Sequence, residues 1–224
     1  MDHVKIIEAK ESLLADNDKD ADRLRRELKE QGTFYINIMS SPGSGKTSSL
    51  KQIIKRLKDQ YRIGVMEADI DSDVDAKTIA ALGVSSIQIH TGGMCHLDAD
   101  MSRQGLSAIE SKDLDLVFLE NVGHLVCPAE FDTGADLNLV ILSVPEGDDK
   151  PLKYPLMFTK ADIVLINKID AMEVFDFDVR KVEDNIHLRK ADVPVFPVSA
   201  VTGEGFDPFC EYLKGRIGRH FERG

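Results

Sequence analysis

Eight residues carry the first chemical signal. The run SSPGSGKT at 40–47 closes with Gly45, Lys46 and Thr47, the end of the phosphate-loop pattern G-x-x-x-x-G-K-[ST]; Ser40 stands where that pattern has its first glycine. Backbone N–H groups from Gly43 through Ser44, Gly45, Lys46 and Thr47 to Ser48 would converge on a phosphate at a helix N-terminus. Lys46 would reach the β- and γ-oxygens, and the Thr47 hydroxyl would bind Mg²⁺. Ser40 precedes that ring of donors. A positive φ there would cost about 1 kcal/mol, small beside several charge-assisted contacts.

The run NKID, about 120 residues further on, supplies Asn167, Lys168 and Asp170 after an apolar stretch. A carboxylate at Asp170 offers two acceptors to the N1–H and exocyclic amine of guanine, whereas adenine has an acceptor at N1 and no amine on that edge. Such pairing discriminates by roughly 10⁴-fold against a base that leaves buried polar groups unpaired. Ser199 and Ala200 follow the next apolar run and could turn a backbone N–H toward the guanine carbonyl. These residues point to GTP and GDP as ligands.

A third set is softer. Cys95 and His96 are adjacent, and Cys127 follows Glu120 by seven residues. Two thiolates and an imidazole suit Zn²⁺ or Ni²⁺, not a hard cation. The same residue types equally describe buried thiols with no ligand, because free cysteine is among the most buried residues. Three ligands also leave a fourth to water, another side chain or a second subunit. His124 is a candidate extra ligand or partner of one, or an ordinary histidine; Cys210, on an amphipathic pattern, reads as packing.

To position these groups the chain needs strands ending just before them. Near-continuous apolar runs at 34–39, 62–68, 86–89, 114–120, 137–144, 162–167 and 193–199 read as strands covered on both faces. Helical patterns near 47–59, 73–82, 97–110, 151–160, 172–188 and 206–221 separate them. The expected fold is α/β: three layers, with a mostly parallel sheet of about seven strands between helices. Ile7, Leu14, Ala21 and Leu28 recur every seven residues, with Leu24 on the same side. Residues 1–32 therefore read as a helical region packed on a domain of 33–224, with a dimer contact as the other role for its face.

The chain has 224 residues, 42% of them hydrophobic, enough for one sizeable domain with its own core. Its net charge of −11 argues against general binding to nucleic acid or to an anionic membrane. Neither a membrane span nor a signal peptide is evident, and three cysteines do not make a disulfide framework, so a cytoplasmic location is expected.

With EADIDSD and ENVG added to the phosphate loop and NKID, the chain resembles P-loop GTPases. That resemblance implies Glu120 in the Walker-B position, Gly123 following the γ-phosphate, Asp69 on the Mg²⁺ side and Asp75 orienting the attacking water. With no evident arginine finger, intrinsic turnover should be slow. The blocks SSPGSGKT, EADIDSDVDA, GGMCHLDADM, ENVGHLVCPAEFD, PEGDDKPLKYP and INKIDA together resemble the hydrogenase nickel-incorporation GTPases, the HypB family, from about residue 35 to the end. This resemblance implies nucleotide-dependent homodimerisation and help in inserting nickel into [NiFe]-hydrogenase, with other maturation proteins and the hydrogenase large subunit as partners. Cys95, His96 and Cys127 fall at the positions of that family's GTPase-domain metal site. Lys153, in KPLKYP, resembles a family lysine near the dimer interface. The N-terminal cysteine cluster and histidine-rich stretch of some members are not present here.

Two other classes fit part of the pattern. A P-loop kinase acting on a small molecule would share the phosphate loop, although NKID speaks against it. A metal-storage protein with a regulatory nucleotide site would bind metal equally in its GTP and GDP states.

Overall fold

The computed structural model describes residues 9–69 and 78–222, without the side chains of residues 9–11 and 69. Its elements, in chain order, are α1 (Ala9–Gln31), β1 (Phe34–Ser40), α2 (Lys46–Leu57), β2 (Ile63–Asp69), β3 (Ser85–His90), α3 (Ala99–Ala108) and β4 (Leu116–Glu120). The short helix α4 (Cys127–Glu130), β5 (Leu137–Ser143), α5 (Lys150–Lys153), α6 (Pro155–Lys160) and β6 (Ile163–Asn167) follow. The chain then forms α7 (Val179–His187), β7 (Val195–Pro197) and α8 (Phe206–Glu222).

The strands form one parallel seven-stranded sheet in the order β3-β2-β4-β1-β5-β6-β7, as the apolar runs led one to expect. The strand period of two sorts each run between two faces. Ile36, Ile38, Phe118, Leu139 and Leu165 meet Leu50, Ile53 and Ile54 of α2 and Phe209 and Leu213 of α8. On the other face Val140, Leu142 and Val164 pack on Met157 and Phe158 of α6, while Tyr35, Val117 and Leu119 pack beside Leu24 and Leu28 of α1 and Leu106 of α3. Both faces are therefore covered, and polar alternation is not needed.

All strands being parallel, β1, β2, β3, β4, β5 and β6 deliver their C-terminal residues to one edge. At β1 the chain passes first to one side of the sheet and later to the other, and a crevice outside such a switch point is where open α/β sheets hold ligands. The phosphate-loop sequence leaves β1 there.

Two expected helices change their bounds. The single helix near 151–160 is two helices, α5 and α6, divided at Tyr154 (φ −126°, ψ 59°); Pro155 crowds the preceding residue out of the helical region. The helix near 172–188 begins only at Val179, where the Asp178 carboxylate accepts the N–H groups of Arg180 and Lys181; residues before it form a 3₁₀ turn over Ile169–Ala171 and bends. Of the helix near 73–82, residues 78–80 are helical and 70–77 lie outside the described residues. Among the described residues no helix is long and apolar enough to cross a membrane.

Candidate functional site

The loop between β1 and α2 is shaped by left-handed glycines at Gly43 (φ 75°) and Gly45 (φ 93°). Ser40 needs no such freedom: it is the last residue of β1 and is not among the residues of positive φ, so the strain considered for it does not arise. Its buried hydroxyl has work of a different kind. It donates to the Ser41 carbonyl at 2.8 Å and accepts from the Ser44 hydroxyl at 2.6 Å and from Lys46 Nζ at 3.1 Å. No side chain caps α2, so the first-turn N–H groups of Lys46, Thr47 and Ser48 lie at an uncapped helix start, the arrangement that receives phosphate.

The Thr47 hydroxyl donates to Glu120 Oε1 at 2.8 Å, joining the loop to the buried end of β4. Gly123 closes against the same loop; a Cβ there would stand 3.2 Å from Lys46 Nζ and 3.2 Å from the Pro42 backbone. Asp69 ends β2, next to β3 and β4, and its side chain is not described; Asp75 lies outside the described residues.

Asn167 and Lys168 bind the loop from β6. Asn167 Nδ2 donates to the Ser44 carbonyl at 2.9 Å, and Lys168, itself left-handed at φ 65°, sends Nζ to the Gly43 carbonyl at 2.6 Å. Asp170 accepts from the Ser199 hydroxyl at 2.5 Å. The N–H groups expected to face a guanine carbonyl are both engaged inside the protein: Ser199 N–H with the Glu204 carbonyl, and Ala200 N–H with Asn167 Oδ1 at 3.0 Å. Asn167 thereby joins the base-recognition run to the phosphate loop.

The ligand atoms of Cys95, His96 and Cys127 all lie within 4.8 Å of one another, and all three residues are half-buried. Cys95 Sγ is 3.9 Å from His96 Nδ1. A hydrogen bond with the Cys95 thiol, together with burial, holds the Cys127 thiol above the ordinary cysteine range, while burial lowers His96 and keeps its imidazole neutral. A neutral ring and two adjacent thiols fit a soft divalent ion. His124 is not in the cluster. Its Nδ1 accepts from the N–H groups of Val126 (3.1 Å) and Cys127 (3.3 Å), holding the start of α4. Lys153 pairs with Asp149 on the surface at 2.5 Å, and Cys210 is buried between α8 and the sheet, where burial pushes its thiol up to about 12.

Five residues were not foreseen from the sequence. Phe131 stacks on His96 with centroids 3.7 Å apart and planes 14° from parallel. Asn121 donates to Asn37 Oδ1, and Asn37 donates to Asn138 Oδ1, both at 3.0 Å, tying the end of β4 through β1 to β5. Glu146 accepts from the Ser41 hydroxyl and, through its other oxygen, from Ser143. The signal was present for the asparagines, each a polar interruption in or beside an apolar strand.

Comparison with known proteins agrees with this architecture. The model of the family described as CobW/HypB/UreG, nucleotide-binding domain, matches residues 34–197. The hydrogenase/urease maturation factor HypB of Helicobacter hepaticus is 40% identical over 222 residues, spanning 97% of this chain and 91% of that protein. The hydrogenase maturation factor HypB of Rhizobium leguminosarum is 43% identical over 214 residues, 96% of this chain and 72% of that protein. The crystal structure of HypB from Helicobacter pylori in complex with nickel superposes with a TM-score of 0.87 at 38% identity, covering 92% of this chain and 97% of the other.

Proposed function

This chain belongs to the CobW/HypB/UreG family of P-loop nucleotide-binding domains, and from that premise we propose that it is a GTP-hydrolysing metallochaperone that assists nickel insertion into [NiFe]-hydrogenase. The observation that carries the reading is the convergence of Cys95, His96 and Cys127 on a segment that also touches the phosphate loop. Cys127 lies four residues beyond Gly123, and Gly123 packs on Lys46 and Pro42. A change at the phosphates that moves the 120–127 segment changes one side of the thiol–imidazole cluster, and differential metal affinity follows.

In this reading the loop and the start of α2 hold the phosphates, Lys46 neutralises the β- and γ-oxygens, and Asp170 reads the guanine edge. A bound base carbonyl would compete with Asn167 for the Ala200 N–H. Thr47 and Glu120 are hard oxygen donors suited to Mg²⁺, which when bound would neutralise phosphate charge. Asp69 joins that set by its place at the end of β2, and Asp75 is retained as the orienter of water. Nickel, or zinc, is cargo on Cys95, His96 and Cys127, with a fourth ligand from water or a second copy of the chain. Two copies associate in the GTP state, the N-terminal helical region packs on the 33–224 nucleotide domain, and the protein acts in the cytoplasm.

Titrating Ni²⁺ into purified protein in nucleotide-free, GDP and non-hydrolysable GTP states, while following mass by light scattering, tests the reading. Metal affinity and mass should both depend on the nucleotide. Equal affinity in all three states would favour a storage protein, and hydrolysis that requires an added small-molecule acceptor would favour a kinase.

A further inference from the structure

Cys95 and His96 sit on the connection from β3 to α3, whereas Cys127 and Phe131 sit on the connection from β4 to β5. The two connections are braced from outside by one side chain of the N-terminal helix. Asn17 Oδ1 accepts from the N–H of Ala99, three residues beyond His96, at 2.9 Å; Asn17 Nδ2 donates to the carbonyl of Asp132, next to Phe131, at 2.9 Å. Both polar ends of one half-buried carboxamide are thus spent on the backbones of the two loops. The second loop is fixed further: Arg25 reaches the Asp132 carboxylate with Nη2 at 2.5 Å and donates from Nε to the Ala135 carbonyl at 2.9 Å. Asp132 Oδ1 also accepts from Gly134 N–H at 2.9 Å. Below these contacts Leu24 and Leu28 share a core with Leu97 and Ala135, one residue from each loop.

We infer that Asn17 is a positioning residue for the metal cluster, its carboxamide setting the separation between the loop that carries Cys95 and His96 and the loop that carries Cys127. Its hydrogen bonds go to neither the metal ligands nor the nucleotide loop. An amide is suited to the task because it offers a donor and an acceptor side by side in one rigid plane. The inference rests on the metal-binding reading above, and it gives α1 a task beyond covering the sheet.

The test compares wild type with Asn17→Leu, which keeps the branched shape and removes both hydrogen bonds, and Asn17→Asp, which keeps the acceptor for Ala99 and loses the donor to Asp132. Ni²⁺ affinity is read by competition with a chromogenic chelator, and ligand geometry by the thiolate-to-nickel charge-transfer band. Thermal midpoint and GDP affinity are followed in parallel. Removing groups that orient metal ligands costs roughly 10- to 100-fold in affinity when they contact the ligand directly. One step removed, Asn17→Leu should weaken Ni²⁺ about tenfold and shift the band, with Asn17→Asp intermediate and GDP affinity unchanged. Unchanged nickel affinity and spectrum in either folded variant would overturn the inference, as would nickel and GDP affinities falling together. Should Asn17→Leu not fold, Asn17→Asp decides alone by the same two criteria. Absence of nickel binding in wild type would instead refute the metal reading itself.

Discussion

Asn167 lies directly against Gly45: its Nδ2 donates to the adjoining Ser44 carbonyl at 2.9 Å, and a Cβ on Gly45 would fall 2.5 Å from the same nitrogen. Two independent penalties therefore meet in Gly45→Ala. A non-glycine residue in the left-handed region costs about 1–2 kcal/mol, and the new methyl must push Asn167 off both the loop and Ala200. GDP affinity, measured with a fluorescent nucleotide analogue, should fall at least tenfold, with a lowered thermal midpoint.

Asp170→Asn exchanges one acceptor for a donor on the base-reading edge and still leaves an oxygen for the Ser199 hydroxyl. The fold should persist while GTP affinity drops by roughly 100-fold or more and xanthosine triphosphate becomes the better ligand. Competition between the two nucleotides measures this, and an unaltered base preference would remove Asp170 from the site.

Glu120→Gln retains an acceptor for the Thr47 hydroxyl and removes the buried carboxyl group. Phosphate release from GTP should slow by roughly 10²-fold, while GDP affinity in the presence of a chelator of divalent ions stays within about twofold. Equal losses in both measurements would assign Glu120 to structure alone.

Metal affinity should rise with pH. The Cys127 thiol titrates above the ordinary cysteine range, so near neutrality metal must displace its proton; His96, lowered by burial, is already neutral and adds no proton to displace. For the Cys127 proton alone the logarithm of the Ni²⁺ association constant should climb by about one per pH unit through the weakly alkaline range. Cys95→Ala removes the largest cause of the raised Cys127 value. In that variant Cys127 should alkylate faster at pH 7, having more thiolate, while Ni²⁺ binding falls sharply and GDP binding does not. Iodoacetamide kinetics and metal titration check the two halves separately.

The sheet was legible because its strands are buried on both faces and so appear as unbroken apolar runs, and the phosphate loop because glycines and a lysine at fixed spacing have few other uses. Helix limits were less so: Tyr154 breaks one helix through the following proline, and Asp178 starts another after a 3₁₀ turn whose composition looks helical. Ser40 shows the same limit at the site. Its departure from the glycine pattern could be weighed only as strain, whereas in the fold it is a hydroxyl placed to hold Lys46 and Ser44. The Asn17 brace and the Phe131–His96 stack join residues 82 and 35 positions apart, a relation that no local spacing encodes.

In the sheet β2 stands between β3 and β4, so the segments bearing the thiols spring from strands two lateral steps apart, about 10 Å. An ion held by Cys95 and Cys127, as proposed, would close an arch whose two feet straddle the exit of β2, where Asp69 sits. Under the proposed function, letting such an ion go would mean lifting one foot, so that the two loops would have to part before the cargo leaves.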